Sequence, residues 1–203
     1  MIGPLFRFVF AWPYRVVLAG LYRAGVRPWM LTAASVLTNV VVAWLLVRGD
    51  RLLPGLLLLP AGLFDIFDGG VARLRGEESR WGAFLDSVMD RVCDALLLGA
   101  LYWTLRGEGL DLPAALALAG LAISLLVSHI RAEAEGHGVT MTEGFFQRLD
   151  RYVALILGLT IPGALLPALS ILVGLGALTV LQRTYSGWRG LGQEKSDKSV
   201  MGT

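Results

Sequence analysis

Long apolar stretches separated by short polar segments dominate the chain. Six of them are predicted to cross a bilayer, as judged by hydropathy and by the glycines, prolines and charges between them. They cover residues 31–48, 52–75, 80–105, 112–134, 150–165 and 167–188. The second, third and fourth are longer than a bilayer needs, so their polar ends should continue past the hydrocarbon as helix. The pattern predicts an all-α integral membrane protein with six transmembrane helices.

Residues 4–27 have a different pattern, in which arginines and Pro13 interrupt the apolar positions. This mixture is typical of an amphipathic helix that lies in the membrane interface, with a poor first transmembrane helix as the alternative. We expect one membrane domain over residues 1–190, in which the interfacial helix precedes six spans within 31–188. The polar residues 191–203 are expected to form a disordered tail.

The composition agrees with a membrane protein. Hydrophobic residues make up 55% of the chain and charged residues 17%, with a mean hydropathy of +0.63, which lies outside the usual range of a soluble domain. The net charge of +2 gives no reason to expect a nucleic-acid partner. The single cysteine, Cys93, allows no disulfide within the chain.

The distribution of basic residues predicts the topology. If both chain ends are cytoplasmic, Arg48, Arg51 and Arg106 lie outside, and the other fifteen of the 18 lysines and arginines lie inside. Cytoplasmic segments of membrane proteins carry such an excess. We therefore expect both termini, and the charged ends of the second and third spans, to face the cytoplasm.

Four aspartates interrupt the second and third spans. Asp65 and Asp68 are three residues apart, and Asp86 and Asp90 are four apart, so each pair lies on one face of its helix. An aspartate near the bilayer centre costs about 2.5 to 3.5 kcal/mol, so these residues need a ligand. Carboxylates from two facing helices would bind a hard cation such as Mg²⁺, Mn²⁺ or Ca²⁺. Because Mg²⁺ often shares its coordination with phosphate, a phosphate-bearing substrate is our hypothesis.

The same segment has small residues and an arginine at fixed spacings. It reads Asp65-x2-Asp68-Gly69-x2-Ala72-Arg73-x8-Gly82-x3-Asp86-x3-Asp90. This motif resembles the complete signature of the CDP-alcohol phosphotransferase (CDP-alcohol phosphatidyltransferase) family. The resemblance implies transfer of a phosphatidyl group from a CDP-linked lipid, typically CDP-diacylglycerol, to an alcohol, with release of CMP. It also implies a homodimer in the plasma membrane of a prokaryote, with the active site facing the cytoplasm.

The resemblance assigns roles position by position. Asp65, Asp68 and Asp86 would bind one Mg²⁺, or Mn²⁺ in its place. Asp86 and Asp90 would contribute to a second ion, and Asp90 would also be the catalytic general base. The residues implied to bind the CDP-lipid are Pro28, Trp29, Met30, Leu31, Thr32, Gly69, Ala72, Arg73, Ser79 and Gly82.

Basic residues on the later cytoplasmic segments are the candidates for binding the acceptor alcohol. They are Arg131, Arg148, Arg151 and Arg183. Several arginines together suit a phosphorylated alcohol, although each is also explained as a membrane anchor. Asp94, one turn beyond Asp90, is expected to have a structural role, to hold an arginine or to help shape the acceptor site.

The segments around these arginines resemble the family branch of actinobacterial phosphatidylinositol phosphate synthases and archaeal inositol phospholipid synthases, with departures at His129 and Glu133. This resemblance favours inositol 1-phosphate as the acceptor. Glycerol 3-phosphate, as in a phosphatidylglycerol phosphate synthase, is the nearest alternative, and another sugar or polyol phosphate is a further one.

Two other classes of protein are alternative interpretations of the sequence. A cation transporter would also use intramembrane carboxylates, but it would leave Gly69, Arg73 and the aspartate spacing unexplained. A non-catalytic membrane scaffold would tolerate the loss of Asp90.

Overall fold

A computed structural model of the chain describes the backbone of residues 4–139 and 148–201 and the side chains of residues 12–139 and 149–191. Within these ranges it contains seven helices and no strand, which confirms the all-α prediction. The helices are α1 (Pro4–Arg23), α2 (Pro28–Val47), α3 (Leu52–Arg75), α4 (Arg80–Gly107), α5 (Asp111–Gly136), α6 (Arg148–Thr160) and α7 (Leu165–Met201).

Four helices are long and apolar enough to cross a membrane, namely α2, α3, α5 and the part of α7 over Leu165–Leu191. The protein is therefore an integral membrane protein. By the same measure α4 does not qualify, since it carries Asp86, Asp90, Arg91 and Asp94. The described part of α6 has only 13 residues, which is too short to span a bilayer.

Two helix ends differ from the sequence prediction. Helix α1 ends at Arg23 rather than at residue 27, because Gly25 adopts a left-handed turn with φ of 76° before Pro28 begins α2. Helix α7 continues to Met201, through the segment for which disorder is predicted. That segment has no proline and contains glutamine, glutamate and lysine, which favour helix.

Six helices form a closed ring. They contact one another in the cyclic order α2, α4, α5, α7, α6 and α3, and α1 packs outside the ring against α3. Leucines from across the ring, including Leu58, Leu101, Leu155 and Leu169, are almost fully buried at its centre. Helix α4 contributes Leu97, Leu98, Leu101 and Leu105 to this centre, and all four follow its aspartates. Asp86 and Asp90 are half-buried and lie outside it.

The two ends of the ring contain different helix connections, and the aspartates lie towards only one of them. Arg51, before α3, forms an ion pair with Glu108, after α4, and Gly55 contacts Thr160 at the end of α6. The α2–α3, α4–α5 and α6–α7 connections therefore share one end. At the opposite end, Arg75 Nε donates a hydrogen bond of 2.9 Å to the carbonyl oxygen of Val26. The aspartates of α3 and α4 lie towards this second end.

Helix α1 docks on the back of the aspartate segment. The rings of Tyr14 and Phe67 stack with centroids 5.3 Å apart. A Cβ at Gly70 would collide with the ends of the Tyr14 and Leu18 side chains, so glycine here favours the close approach of α1. The adjacent Gly69 lies beside Arg73 instead. Of the two glycines after Asp68, Gly70 therefore contacts α1 and Gly69 contacts Arg73.

Buried polar groups join α2 to α3 and α6. Ser35 Oγ donates to the carbonyl oxygen of Ala61 at 3.0 Å, and Tyr152 Oη donates to Asn39 Oδ1 at 3.0 Å. Asn39 is completely buried, so a partner for its amide is required in apolar surroundings. This connection fixes α6 against α2.

The close approach of α3 and α6 at Gly55 gives a first prediction. An alanine Cβ at this position would lie 2.7 Å from Thr160 Cγ2 and 3.0 Å from Leu159 Cβ. We expect Gly55→Ala to destabilise the protein by about 1–3 kcal/mol, as overpacking usually does. Thermal melting in detergent measures this, with Gly174→Ala as the control because nothing lies within 4 Å of a Cβ there. Equal melting temperatures for the two variants would contradict the helix crossing.

Candidate active site

A cavity of about 840 Å³ lies at the aspartate-bearing end, between α2, α3 and the start of α4. Asp68, Arg73 and Asp86 contribute polar groups to its lining, and Val36 and Leu37 contribute apolar ones. Trp29, Leu37 and Trp81 are 60%, 66% and 68% exposed, so the rim of the cavity reaches the surface of the bundle. The cavity can hold a ligand with both a charged and an apolar part.

Local sequence signals set the distance between α3 and α4. Gly76 ends α3 in the left-handed conformation with φ of 65°, as glycine commonly does after a helix. Ser79 then caps α4 by accepting a hydrogen bond of 3.0 Å from the backbone N–H of Gly82. Among the described helices, α2 packs against both α3 and α4, whereas α3 and α4 make no close backbone contact. The cavity occupies the space between them.

Three of the four predicted metal ligands come together in this space. Asp65, Asp68 and Asp86 each offer a carboxylate oxygen, and these oxygens lie within 4.8 Å of one another. Asp68 is buried, and the other two are half-buried. Three carboxylates this close repel one another unless a cation lies between them. The set contains only oxygen donors and therefore fits a hard divalent cation.

Two further groups hold Asp68 in place. Thr32 Oγ1, on α2, donates a hydrogen bond of 2.8 Å to Asp68 Oδ2. The backbone N–H of Gly69 donates one of 2.6 Å to Asp68 Oδ1. These bonds orient the carboxylate without using all of its acceptor capacity. A role for Thr32 beside the metal group is not evident from the sequence.

Asp90 lies outside this group of three. It is half-buried and follows Asp86 by four residues on α4, so the two lie on the same face of the helix. The predicted general base is thus one helical turn from the predicted metal ligand.

The predicted CDP-lipid residues divide into two sets. Eight line the cavity, namely Pro28, Trp29, Thr32, Gly69, Ala72, Arg73, Ser79 and Gly82. The structure does not bring Met30 and Leu31 to it. Leu31 is 6% exposed and packs against Leu18 and Phe67, while Met30 is 42% exposed elsewhere.

The period of helix α2 explains why Met30 and Leu31 do not line the cavity. Pro28 begins α2, so the segment from Pro28 to Thr32 is a helical turn. Only one face of that turn meets the cavity. The same face continues through Ala33, Val36 and Leu37, which line the cavity and which the motif does not include. Their positions follow from the period of α2, once the helix is known to start at Pro28. Other lining residues outside the prediction are Glu77, Glu78, Trp81, Ala83, Leu85 and Met89.

The predicted acceptor arginines have different environments. The side chain of Arg151 is 13% exposed, and its Nη2 lies 2.9 Å from Asp94 Oδ2. Arg183 is 8% exposed and its Nη1 donates a hydrogen bond of 2.8 Å to the carbonyl oxygen of Val127. Arg131 is more exposed and pairs with Glu135 at 2.8 Å. The side chain of Arg148 lies outside the described residues.

Electrostatic interactions connect three of these arginines, since Arg183 interacts with both Arg131 and Arg151. Arginines do not gather in a partly buried site without a negative partner. Among the described residues, Asp94 pairs with Arg151 and Glu135 pairs with Arg131. The arrangement suits a phosphate group better than a neutral alcohol.

Comparison with known proteins agrees with this site. The sequence pattern of the CDP-alcohol phosphatidyltransferase family matches residues 26–182. The phosphatidylinositol phosphate synthase of Mycobacterium marinum is 31% identical over 194 residues, which cover 91% of this chain and 83% of that protein. The corresponding enzyme of Corynebacterium glutamicum is 36% identical over 169 residues, which cover 78% and 76% of the two chains.

Solved structures show the same fold. The crystal structure of Mycobacterium tuberculosis phosphatidylinositol phosphate synthase with CDP-DAG bound matches with a TM-score of 0.76 and 29% sequence identity. The match covers 86% of this chain and 93% of that one. The same enzyme has also been crystallised in complex with manganese and citrate.

Fold and site together define a membrane-embedded phosphotransferase with three aspartates placed to hold a divalent cation. The chain belongs to the CDP-alcohol phosphatidyltransferase family. The cation transporter and the scaffold are therefore set aside, because neither accounts for this family match.

Proposed function

We propose that the protein transfers the phosphatidyl group of CDP-diacylglycerol to a hydroxyl of a phosphorylated alcohol, with inositol 1-phosphate as the favoured acceptor and CMP as the second product. The observation that carries this proposal is the shared cavity, whose lining combines Asp68 and Asp86 with eight of the residues implied to bind a CDP-lipid. Buried arginines on α6 and α7 provide a site for the phosphate of the acceptor. The names of the curated relatives support the choice of acceptor.

In this proposal Asp65, Asp68 and Asp86 hold one divalent ion, and Asp86 and Asp90 contribute to a second. Bound Mg²⁺ or Mn²⁺ would neutralise the pyrophosphate of the donor and the charge that develops on CMP. Arg73 lies in the lining and is suited to contact a donor phosphate. The N-terminal end of α4, at Arg80, carries the positive end of the helix dipole and provides a further anion-binding element.

The remaining residues position the reacting groups. Val36 and Leu37, on the lipid-accessible side of the cavity, accommodate the acyl chains of the donor. Asp90 accepts the proton of the acceptor hydroxyl as the hydroxyl oxygen attacks the β-phosphorus that carries the diacylglycerol. The bond from that phosphorus to the bridging oxygen of CMP then breaks. Because the alcohol is a weak nucleophile at neutral pH, the reaction depends on this base.

We propose a topology of six membrane spans, in which α4 and α6 cross together with α2, α3, α5 and α7, and α1 lies in the interface. Both termini and the cavity face the cytoplasm of a prokaryotic plasma membrane, and residues 1–190 form one domain. In support, the connections that carry Arg48, Arg51 and Arg106 share the end opposite the cavity. A homodimer is also part of the proposal, since small residues in the spans permit close helix contacts.

The acceptor is tested with a panel. Purified protein is supplied with CDP-diacylglycerol, Mg²⁺ and one of inositol 1-phosphate, glycerol 3-phosphate, inositol or serine, and CMP release and product mass are measured. We expect fast CMP release and a phosphatidylinositol phosphate product with inositol 1-phosphate. Preference for glycerol 3-phosphate would support the second candidate, and preference for an unphosphorylated alcohol would refute the assignment of the arginines.

The hydrogen bond from Thr32 to Asp68 gives a second prediction. We expect Thr32→Val to raise the Mg²⁺ concentration needed for half-maximal activity by about tenfold, as loss of a group that orients a metal ligand commonly does. The matched control is Thr38→Val on the same helix, because the Thr38 hydroxyl donates only to the Ala34 carbonyl oxygen in its own helix, at 2.7 Å. An unchanged Mg²⁺ requirement in Thr32→Val would contradict a role for Thr32 in orienting Asp68 for metal binding.

A further inference from the structure

Asp94 connects three helices with one carboxylate. It is 5% exposed and lies on α4, one turn beyond Asp90. Its Oδ2 accepts a hydrogen bond from the hydroxyl of Ser124 on α5 and lies 2.9 Å from Nη2 of Arg151 on α6. Helices α4 and α6 lie opposite each other in the ring and make no close backbone contact among the described helices. The ion pair therefore crosses the interior of the bundle.

A buried ion pair is a weak source of stability, because removing two charges from water offsets most of their attraction. Asp94 and Arg151 side chains are only 7% and 13% exposed, so this penalty applies to both. An apolar pair of similar size would close the same space with no desolvation penalty. The presence of the pair therefore indicates a use other than packing.

Arg151 is suited to bind an additional group. Its Nε is buried and has no hydrogen-bond partner, although buried polar atoms usually have one. Arg183 lies near enough to interact with it electrostatically. Asp94 thus fixes one edge of a guanidinium whose Nε suits an anion, in a site that also contains the guanidinium of Arg183.

We propose that Asp94, held by Ser124, is a positioning residue that orients Arg151 towards the phosphate group of the acceptor. This inference rests on the proposed function, since it assumes a phosphorylated acceptor. Asp90 and Asp94 lie on the same face of α4, about 6 Å apart along the helix axis. One rigid helix therefore places the base for the acceptor hydroxyl and the residue that fixes the arginine for the acceptor phosphate. The spacing of Asp90 and Asp94 selects alcohols whose hydroxyl and phosphate are separated by a matching distance.

The test compares the two substrates of the same enzyme. We expect Asp94→Asn to raise the KM for inositol 1-phosphate by about tenfold, the usual effect of losing one charge-assisted contact. The KM for CDP-diacylglycerol should stay within about twofold, because Arg151 lies outside the cavity proposed for the donor. On an Arg151→Gln background, Asp94→Asn should cause no further rise, since Asp94 acts through Arg151.

A second variant keeps the test decisive if Asp94→Asn folds poorly. Ser124→Ala removes only the supporting hydroxyl and is expected to raise the acceptor KM by about threefold. Ser35→Ala is its matched control, because Ser35 and Ser124 are both 2% exposed and Ser35 donates to a backbone carbonyl oxygen instead. It should leave the acceptor KM unchanged.

The possible results distinguish a failure of the positioning role from a failure of the proposed function. If wild-type protein turns over inositol 1-phosphate while Asp94→Asn and Ser124→Ala keep the wild-type acceptor KM, the positioning role is refuted and the proposed function stands. An equal rise in both KM values would also refute it, because that result indicates a general structural effect. If the wild-type protein releases no CMP with any phosphorylated alcohol, the proposed function fails, and the positioning role fails with it.

Discussion

Asp90→Asn is expected to lower kcat by about 10²–10⁴-fold, the usual contribution of a general base. Asparagine keeps the size of the side chain but cannot accept the proton of the acceptor hydroxyl. The measurement is CMP release at saturating CDP-diacylglycerol and inositol 1-phosphate. Because Asp90 is half-buried and lies outside the main core, the melting temperature should change little.

The control is Asp111→Asn, which removes an exposed aspartate at the opposite end of the bundle, where it pairs with Arg106. It should leave kcat unchanged. An Asp90→Asn protein that is folded and retains more than about a tenth of the wild-type kcat would exclude Asp90 as the base, because general bases contribute far more than this.

Asp86→Asn is expected to have a comparable or larger effect. Asp86 belongs to the group of three carboxylates and, in the proposed mechanism, contributes to both metal ions. Loss of metal stabilisation of the transition state is worth several kcal/mol, which corresponds to about 10³-fold in rate. Mg²⁺ or Mn²⁺ is expected to raise the melting temperature of the wild-type protein, since a bound ligand stabilises the folded state, and the variant should lose this rise.

Removal of the metal provides the complementary measurement. Treatment with EDTA should abolish CMP release by the wild-type protein, and added Mg²⁺ should restore it. Full activity in EDTA, or a normal metal-induced rise in melting temperature in Asp86→Asn, would contradict the metal assignment.

The sequence predicts the site well where a short segment forms it. Asp65 and Asp68 share one face of α3 because they are three residues apart, and this relation depends only on the helical period. The facing position of Asp86 follows from the short connection between α3 and α4, which Gly76 and Ser79 define. The class of reaction also follows from this segment, because the motif resembles one family.

Relations between distant segments could not be predicted in the same way. The bond between Asn39 and Tyr152 joins residues 113 positions apart, and no local pattern encodes it. The pairing of Asp94 with Arg151 likewise depends on the order of helices in the ring. Met30 and Leu31 lie away from the cavity because the segment from Pro28 to Thr32 is the first turn of α2, and only one face of that turn meets the cavity.

The length of an apolar stretch also predicts poorly where a helix leaves the membrane. Helix α4 carries Asp86, Asp90, Arg91 and Asp94 before a long apolar stretch, so these charges disqualify it as a span on composition. Interior position and not hydropathy explains how such residues are tolerated in a membrane protein. The same reasoning explains why the aspartates indicate function more clearly than they indicate the end of a span.

The most direct test of the central claim is to locate the metal. Crystals of the protein grown with Mn²⁺ and CDP-diacylglycerol, measured at the manganese absorption edge, should show an anomalous peak between Asp65, Asp68 and Asp86, within about 2.5 Å of a carboxylate oxygen of each residue. The pyrophosphate of the donor should lie beside this peak in the cavity. A peak elsewhere, or a donor bound away from these three carboxylates, would contradict the claim that they form the active centre.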